Sequence, residues 1–99
     1  MGSSSMRVSG SSSVKNVAMC LVRFLEKPGS QNVELRAIGA GAVNQAVKSI
    51  ASARCVLGER GLDLTVRIGF ACAESGEARG KTAMTFTASV SGKMGGCDG

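Results

Sequence analysis

The sequence predicts an α+β fold: a two-layer sandwich with a four-stranded mixed sheet and two helices on one face, in the order β-α-β-α-β-β. Three observations lead there. Leu62 to Ala73 alternates along its whole length, with Leu62, Leu64, Val66, Ile68, Phe70 and Cys72 opposed to Asp63, Thr65, Arg67, Gly69 and Ala71; a period of two belongs to a strand. Val14 to about Glu26, and Ala42 to Leu57, repeat their apolar residues every three to four positions, as helices with one buried side do. Each element therefore offers a single apolar face, and laying both helices on the same side of the sheet hides all of these faces together.

Taken in order, Ser5 to Ser9 is a short first strand, with Met6 and Val8 pointing one way and Arg7 the other. Ser11 to Ser13 offer an N-cap to the first helix. That helix turns Val14, Val17, Ala18, Leu21, Phe24 and Leu25 inward and Lys15, Asn16, Met19, Arg23 and Lys27 outward, and Pro28-Gly29 ends it. Val33 to Ile38 is the second strand, with Val33, Leu35 and Ala37 inside and Glu34 and Arg36 outside. Gly39-Ala40-Gly41 then turns the chain into the second helix, whose core stripe reads Val43, Ala46, Val47, Ile50, Ala53 and Leu57. A second flank, Asn44, Lys48, Ala51 and Cys55, is small or polar enough for another helix to approach. Gly58 suits the position just beyond the helix, and Gly61 leads into the long third strand. Residues 74–81 form a polar hairpin loop, and Thr82 to Ser91 is the fourth strand, with Met84, Phe86, Ala88 and Val90 inward. Residues 1–5 and 92–99 are small and polar and read as flexible tails around one domain, residues 6–91. A chain of 99 residues supports one core.

Composition excludes most catalysis. There is no His, Trp or Tyr, so the usual general base, the Ser-His and Cys-His pairs and imidazole metal ligands are all missing. Seven dispersed carboxylates form no catalytic group, and the expectation is a protein that is not an enzyme and takes no small-molecule substrate. The four cysteines, Cys20, Cys55, Cys72 and Cys97, make no CxxC pair and have no His to complete a zinc set. The first three read as small buried hydrophobes, which implies a reducing, intracellular compartment; no metal or other cofactor is expected. No apolar run reaches membrane-spanning length and no secretory signal is present, so the expected location is cytoplasmic or nucleoid-associated, away from membranes.

Charge points to a partner. Twelve Lys and Arg against seven Asp and Glu give a net charge of +5, which suits a polyanion. Arg7, Arg36 and Arg67 fall on strand positions opposite the core, Lys15 lies in the first turn of the first helix, and Arg79 and Lys81 sit in the hairpin. Any one of these is explained as well by a solvated surface charge paired with Glu34, Glu74 or Glu77. Gly39-Ala40-Gly41 begins like a dinucleotide fingerprint, but Asn44 replaces its third glycine and no acidic residue follows at a strand end. The amides of that turn suit a phosphate of a polymer or a small anion; a tight strand-to-helix turn accounts for Gly39 and Gly41 equally well. Without Tyr or Trp the sheet has no stacking platform, so recognition should run through backbone and shape.

The run Ala37-Ile38-Gly39-Ala40-Gly41-Ala42-Val43-Asn44-Gln45-Ala46-Val47-Lys48, continuing through Ile50-Ala51 to Ala53-Arg54, resembles the signature of the stage V sporulation protein S family, a bacterial branch of the Alba-like proteins. The likeness covers roughly Met6 to Val90 and is most specific in this central run. It implies the Alba-like fold, a homodimer, for which the flank of Asn44, Lys48, Ala51 and Cys55 is the expected seam, nucleic-acid binding and a regulatory role in spore development. It also implies that Lys15 is a principal contact and that the hairpin reaches along a groove with Arg79 and Lys81. Ala40, Gly41 and Gln45 stand where archaeal Alba proteins carry basic residues, which implies a weaker binder or another ligand. Two functions are thus expected of different classes: a dimer that binds DNA or RNA, or a protein-interaction module whose charge serves solubility.

Overall fold

The structure is a computed structural model and describes residues 3–27, 32–72 and 80–91. Along the chain run β1 (Ser3–Val8), α1 (Val14–Glu26), β2 (Asn32–Ala37), α2 (Ala40–Gly58), β3 (Asp63–Cys72) and β4 (Thr82–Ser91), the predicted order and class. The sheet is ordered β1-β2-β4-β3, with β1 and β2 parallel and the other neighbours antiparallel, so β1 and β3 are its edges. β1 starts earlier than its alternation suggests, because Ser3 and Ser4 pair with Asn32 and Val33; backbone pairing, not an apolar pattern, extends it. Pro28-Gly29, most of the hairpin loop with Glu74, Glu77 and Arg79, and the C-terminal run with Cys97 lie outside the described residues. No helix among the described residues is long and apolar enough to cross a membrane.

Local chemistry sets the helix ends. Ser13 caps α1, its Oγ accepting from the Asn16 N–H at 3.2 Å. At the far end of α2, the Gly61 N–H donates to the Gly58 carbonyl at 3.1 Å and the Leu62 N–H to the Leu57 carbonyl at 3.0 Å. Those two bonds are a Schellman closure, and Gly61, at φ 79°, supplies its left-handed residue. The stop is therefore Gly61 rather than the expected Gly58, which is still helical.

The core lies between the helices and one sheet face, where Val8, Val33, Leu35, Ala37, Leu64, Phe86 and Ala88 meet Ala18, Leu21, Val22 and Leu25 of α1. α2 differs from expectation. It buries Ala42, Ala46, Ser49, Ala53 and Leu57, while Val43 and Ile50 are half-buried and Val47 is 51% exposed. The helix seats on its smallest residues, which bring its axis close to its neighbours, and so rotates its bulkier residues towards β3. Ser49 is tolerated at the bottom of this contact because its Oγ donates to the Gln45 carbonyl at 2.7 Å, one helical turn back.

β3 also departs from its pattern. Leu64 is buried and Val66 half-buried, but Ile68 is 61% and Phe70 75% exposed. Opposite Phe86 and Met84, both lie on the helix-bearing face. They sit on an edge strand, however, which α2 approaches near its own C-terminus, where Arg54 pairs with Asp63 at 3.4 Å. Alternation reports which face a side chain takes, not whether anything covers it. The same holds for the cysteines: Cys20, Cys55 and Cys72 are exposed free thiols rather than the expected buried hydrophobes. Cys20 and Cys55 fall on the outer sides of their helices, and Cys72 lies on the uncovered end of β3.

Gly39, the N-cap of α2, has φ 93° and ψ 157°, a conformation essentially reserved for glycine. A Cβ there would meet nothing within 4 Å, so the whole cost of a side chain is backbone strain. Gly39→Ala is expected to destabilise the fold by about 1–3 kcal/mol in urea titration. Gly58→Ala, helical and facing open space, is expected to shift stability the other way by about 0.4–1 kcal/mol. Equal midpoints for the two variants would contradict this account of the turn.

Candidate nucleic-acid interface

Topology gathers the predicted contacts before any side chain is considered. β1 and β2 are parallel, and each runs through a short turn into a helix on the same face. Both helices therefore start at one end of the sheet. Ala37 pairs with Met84, which brings the start of β4 and the adjoining Lys81 to that end as well. The two turns touch: a Cβ on Gly41 would stand 3.6 Å from the Gly10 Cα, so no side chain separates them. Gln45 ties them together, its Nε2 donating to the Ser12 carbonyl at 2.8 Å.

The turn before α1 is built from hydroxyls. The Ser9 N–H donates to Ser12 Oγ at 2.9 Å and the Ser12 N–H to the Ser9 carbonyl at 3.1 Å, while Ser11 donates its N–H to Ser9 Oγ at 3.3 Å. These bonds hold the turn in one shape beside the start of α2, where Gly39 offers no side-chain cap. The start of α2, which no side chain caps, thus stands beside the Ser13-capped start of α1, and each carries the partial positive charge of a helix start.

Cations stand at both ends of the molecule, with Arg23 and Lys27 at the finish of α1, whereas the described carboxylates other than Glu34 stand at one. Lys15 and Lys81 are exposed at the end where the helices start and pair with no carboxylate among the described residues. Arg7 and Arg36 stand directly opposite each other one residue before the ends of β1 and β2, on the sheet face away from the helices. Of these two, Arg36 is paired with Glu34 at 3.0 Å. The remaining described carboxylates, Glu26, Glu59 and Asp63, follow the helix ends at the opposite end of the molecule, where Arg60 pairs with Glu26 and Arg54 with Asp63.

Of the residues the sequence singled out, Lys15, Gly39, Gly41 and Lys81 lie at one end of the sheet, with Arg7 and Arg36 near that end on the opposite face. Arg67 does not join them; it lies midway along β3, facing Thr87. Arg79 falls outside the described residues. Asn44, Lys48, Ala51 and Cys55 share the exposed outer side of α2. Sequence reasoning missed two features. One is the Gln45–Ser12 tie, whose partners stand far apart in the chain and carry no local signal. The other is an exposed apolar flank of Val47, Ile68 and Phe70, continuous with half-buried Val43, Ile50 and Val66. Beside it lies a shallow, open depression lined by Phe70, Ala71, Cys72 and Thr82. The cue for the flank was in the sequence: α2 has more apolar residues than one narrow stripe can bury.

Compared with known protein families, residues 4–91 match the sequence model of the family described as Stage V sporulation protein S (SpoVS).

The tie between the two turns is testable. Gln45→Ala removes a part-buried hydrogen bond worth about 1 kcal/mol. Amide exchange at Ser11, Ser12 and Ser13 is expected to quicken about fivefold, with α2 beyond Ala46 unchanged. Uniform acceleration across the helix would instead mean that Gln45 serves only general stability.

Proposed function

The chain belongs to the stage V sporulation protein S family, and on that premise we propose that it is a small dimeric protein that binds DNA or RNA through the phosphate backbone in a sporulation-associated regulatory role. The observation that carries the reading is the pairing of exposed Lys15 and Lys81 with two adjoining helix starts at one end, while carboxylates collect at the other. Lys15 and Lys81 attract and neutralise phosphates, and the amides following Gly39 and Gly41 donate to their oxygens. Arg79, two residues before Lys81 in sequence, adds to their charge. No aromatic ring stands among these groups, so bases are left unread and affinity depends on salt.

In this reading a second copy packs against the flank of Val47, Ile68 and Phe70. These are large apolar side chains at 51%, 61% and 75% exposure on adjacent elements, with the edge of β3 beside them. A two-fold interface closes on itself and shields the β3 edge, where an open apolar edge strand invites aggregation. The expected seam of Asn44, Lys48, Ala51 and Cys55 lies next to this flank around α2, and Ala51 borders both. The flank also supports a second reading, in which the domain is a protein-interaction module; partners from lysate that survive nuclease digestion would favour it.

Titration of a DNA duplex and a structured RNA against salt tests the first reading. Wild type is expected to show a clear negative slope of log K against log salt, and Lys15→Ala with Lys81→Ala to flatten it by roughly 1 for each cation removed. A wild-type slope of zero overturns the phosphate contacts. For the dimer, Ile68→Asp with Phe70→Asp is expected to sediment as a folded monomer, since both side chains are solvent-facing within one subunit. A monomeric wild type, or an unchanged dimer in the variant, overturns the seam.

A further inference from the structure

The helices cover one face of the sheet and leave the other open. On that open face Arg7 and Arg36 are direct partners in the parallel β1–β2 ladder, an arrangement that costs stability because like charges face each other. Glu34 compensates Arg36 at 3.0 Å; no described carboxylate compensates Arg7. Arg67 stands on β3, across the whole width of the sheet from β1, roughly 14 Å away at the usual strand spacing. It too is exposed and has no carboxylate partner among the described residues. Thr85 faces Arg36, and Thr87 stands between Glu34 and Arg67; beyond Arg67, Thr65 Oγ1 lies 3.3 Å from Ser89 Oγ.

Cations and hydroxyls without an aromatic or large apolar side chain suit a partner that presents anionic oxygens at regular intervals and nothing to stack or bury. That is the outside of a nucleic-acid duplex. An extended acidic peptide would pair with the backbone of the edge strands β1 or β3 rather than lie across this face, because β2 and β4 are already paired on both sides. The face points away from the helix layer, and hence away from Lys15 and from the flank of Val47, Ile68 and Phe70, so it stays open when the helix starts are occupied and when two copies associate.

We propose that the open sheet face is a second surface for the phosphate backbone of a duplex, so that one protomer links two duplex segments, one at the helix starts and one across Arg7, Arg36 and Arg67. This rests on the nucleic-acid reading above and extends it from binding to bridging.

Short DNA duplexes carrying a donor dye, mixed with duplexes carrying an acceptor, provide the test. Wild-type protein is expected to bring the dyes into energy transfer. Arg7→Ser with Arg67→Ser is expected to return transfer to the protein-free level while affinity for a single duplex falls less than about threefold. The charge-conserving pair Arg7→Lys with Arg67→Lys is expected to restore transfer. Transfer that persists in the serine variant overturns the proposal, because bridging would then come from the helix-start sites of two associated copies. Single-duplex binding without transfer in wild type overturns it as well and leaves the nucleic-acid reading standing. If wild type binds no duplex even at low salt, that reading itself fails.

Discussion

The seating of α2 on Ala42, Ala46, Ser49 and Ala53 is the contact on which the other features depend. Four small residues in a row let the helix lie close to its neighbours, and the one polar member is satisfied by its own helix through the Gln45 carbonyl. Close seating fixes the rotation of α2. Its start is pressed against the turn before α1, where Gly10 meets Gly41 and Gln45 reaches Ser12. Its bulkier residues, Val43, Val47 and Ile50, are turned towards β3, which lacks a helix over its distal half. The paired helix starts and the apolar flank are consequences of one packing choice.

Electrostatics follows from the same topology. Two parallel strand-to-helix units put both helix starts at one end and both helix finishes at the other. Lys15 and Lys81 stand by the starts with no carboxylate partner among the described residues, whereas Glu26, Glu59 and Asp63 stand by the finishes among Arg23, Lys27, Arg54 and Arg60. Carboxylates therefore offset cations more at one end than at the other. What a polyanion meets at the helix starts is fixed backbone dipole and mobile side-chain charge together, both acting within a Debye length of the surface.

The apolar flank reaches the basic end, because Phe70 pairs with Met84, which pairs in turn with Ala37, and Lys81 adjoins the start of β4. In the proposed dimer, an interface on the α2–β3 side would leave the open sheet face in solvent. The exposed cysteines fit this geometry without adding to it: each lies where the helices or the edge strand lack cover, and none has a disulfide partner among the described residues.

Much of this was legible in the chain. The period of two in β3, the helical spacing in α1, the Ser13 cap and the turn at Gly39 are local signals, because backbone geometry imposes its repeat on neighbouring residues whatever surrounds them. Such signals determined the element order, the fold class and the face each side chain takes, and with the central Gly39–Lys48 run they pointed to the family. Coverage was left to the tertiary structure. Ile68 and Phe70 obey the strand pattern perfectly yet lie open, Val47 fits a core stripe yet faces solvent, and Gly61 rather than Gly58 ends α2. Burial depends on what packs opposite, and the residues that pack opposite are remote in the chain, as Ser12 is from Gln45; no local repeat carries that information.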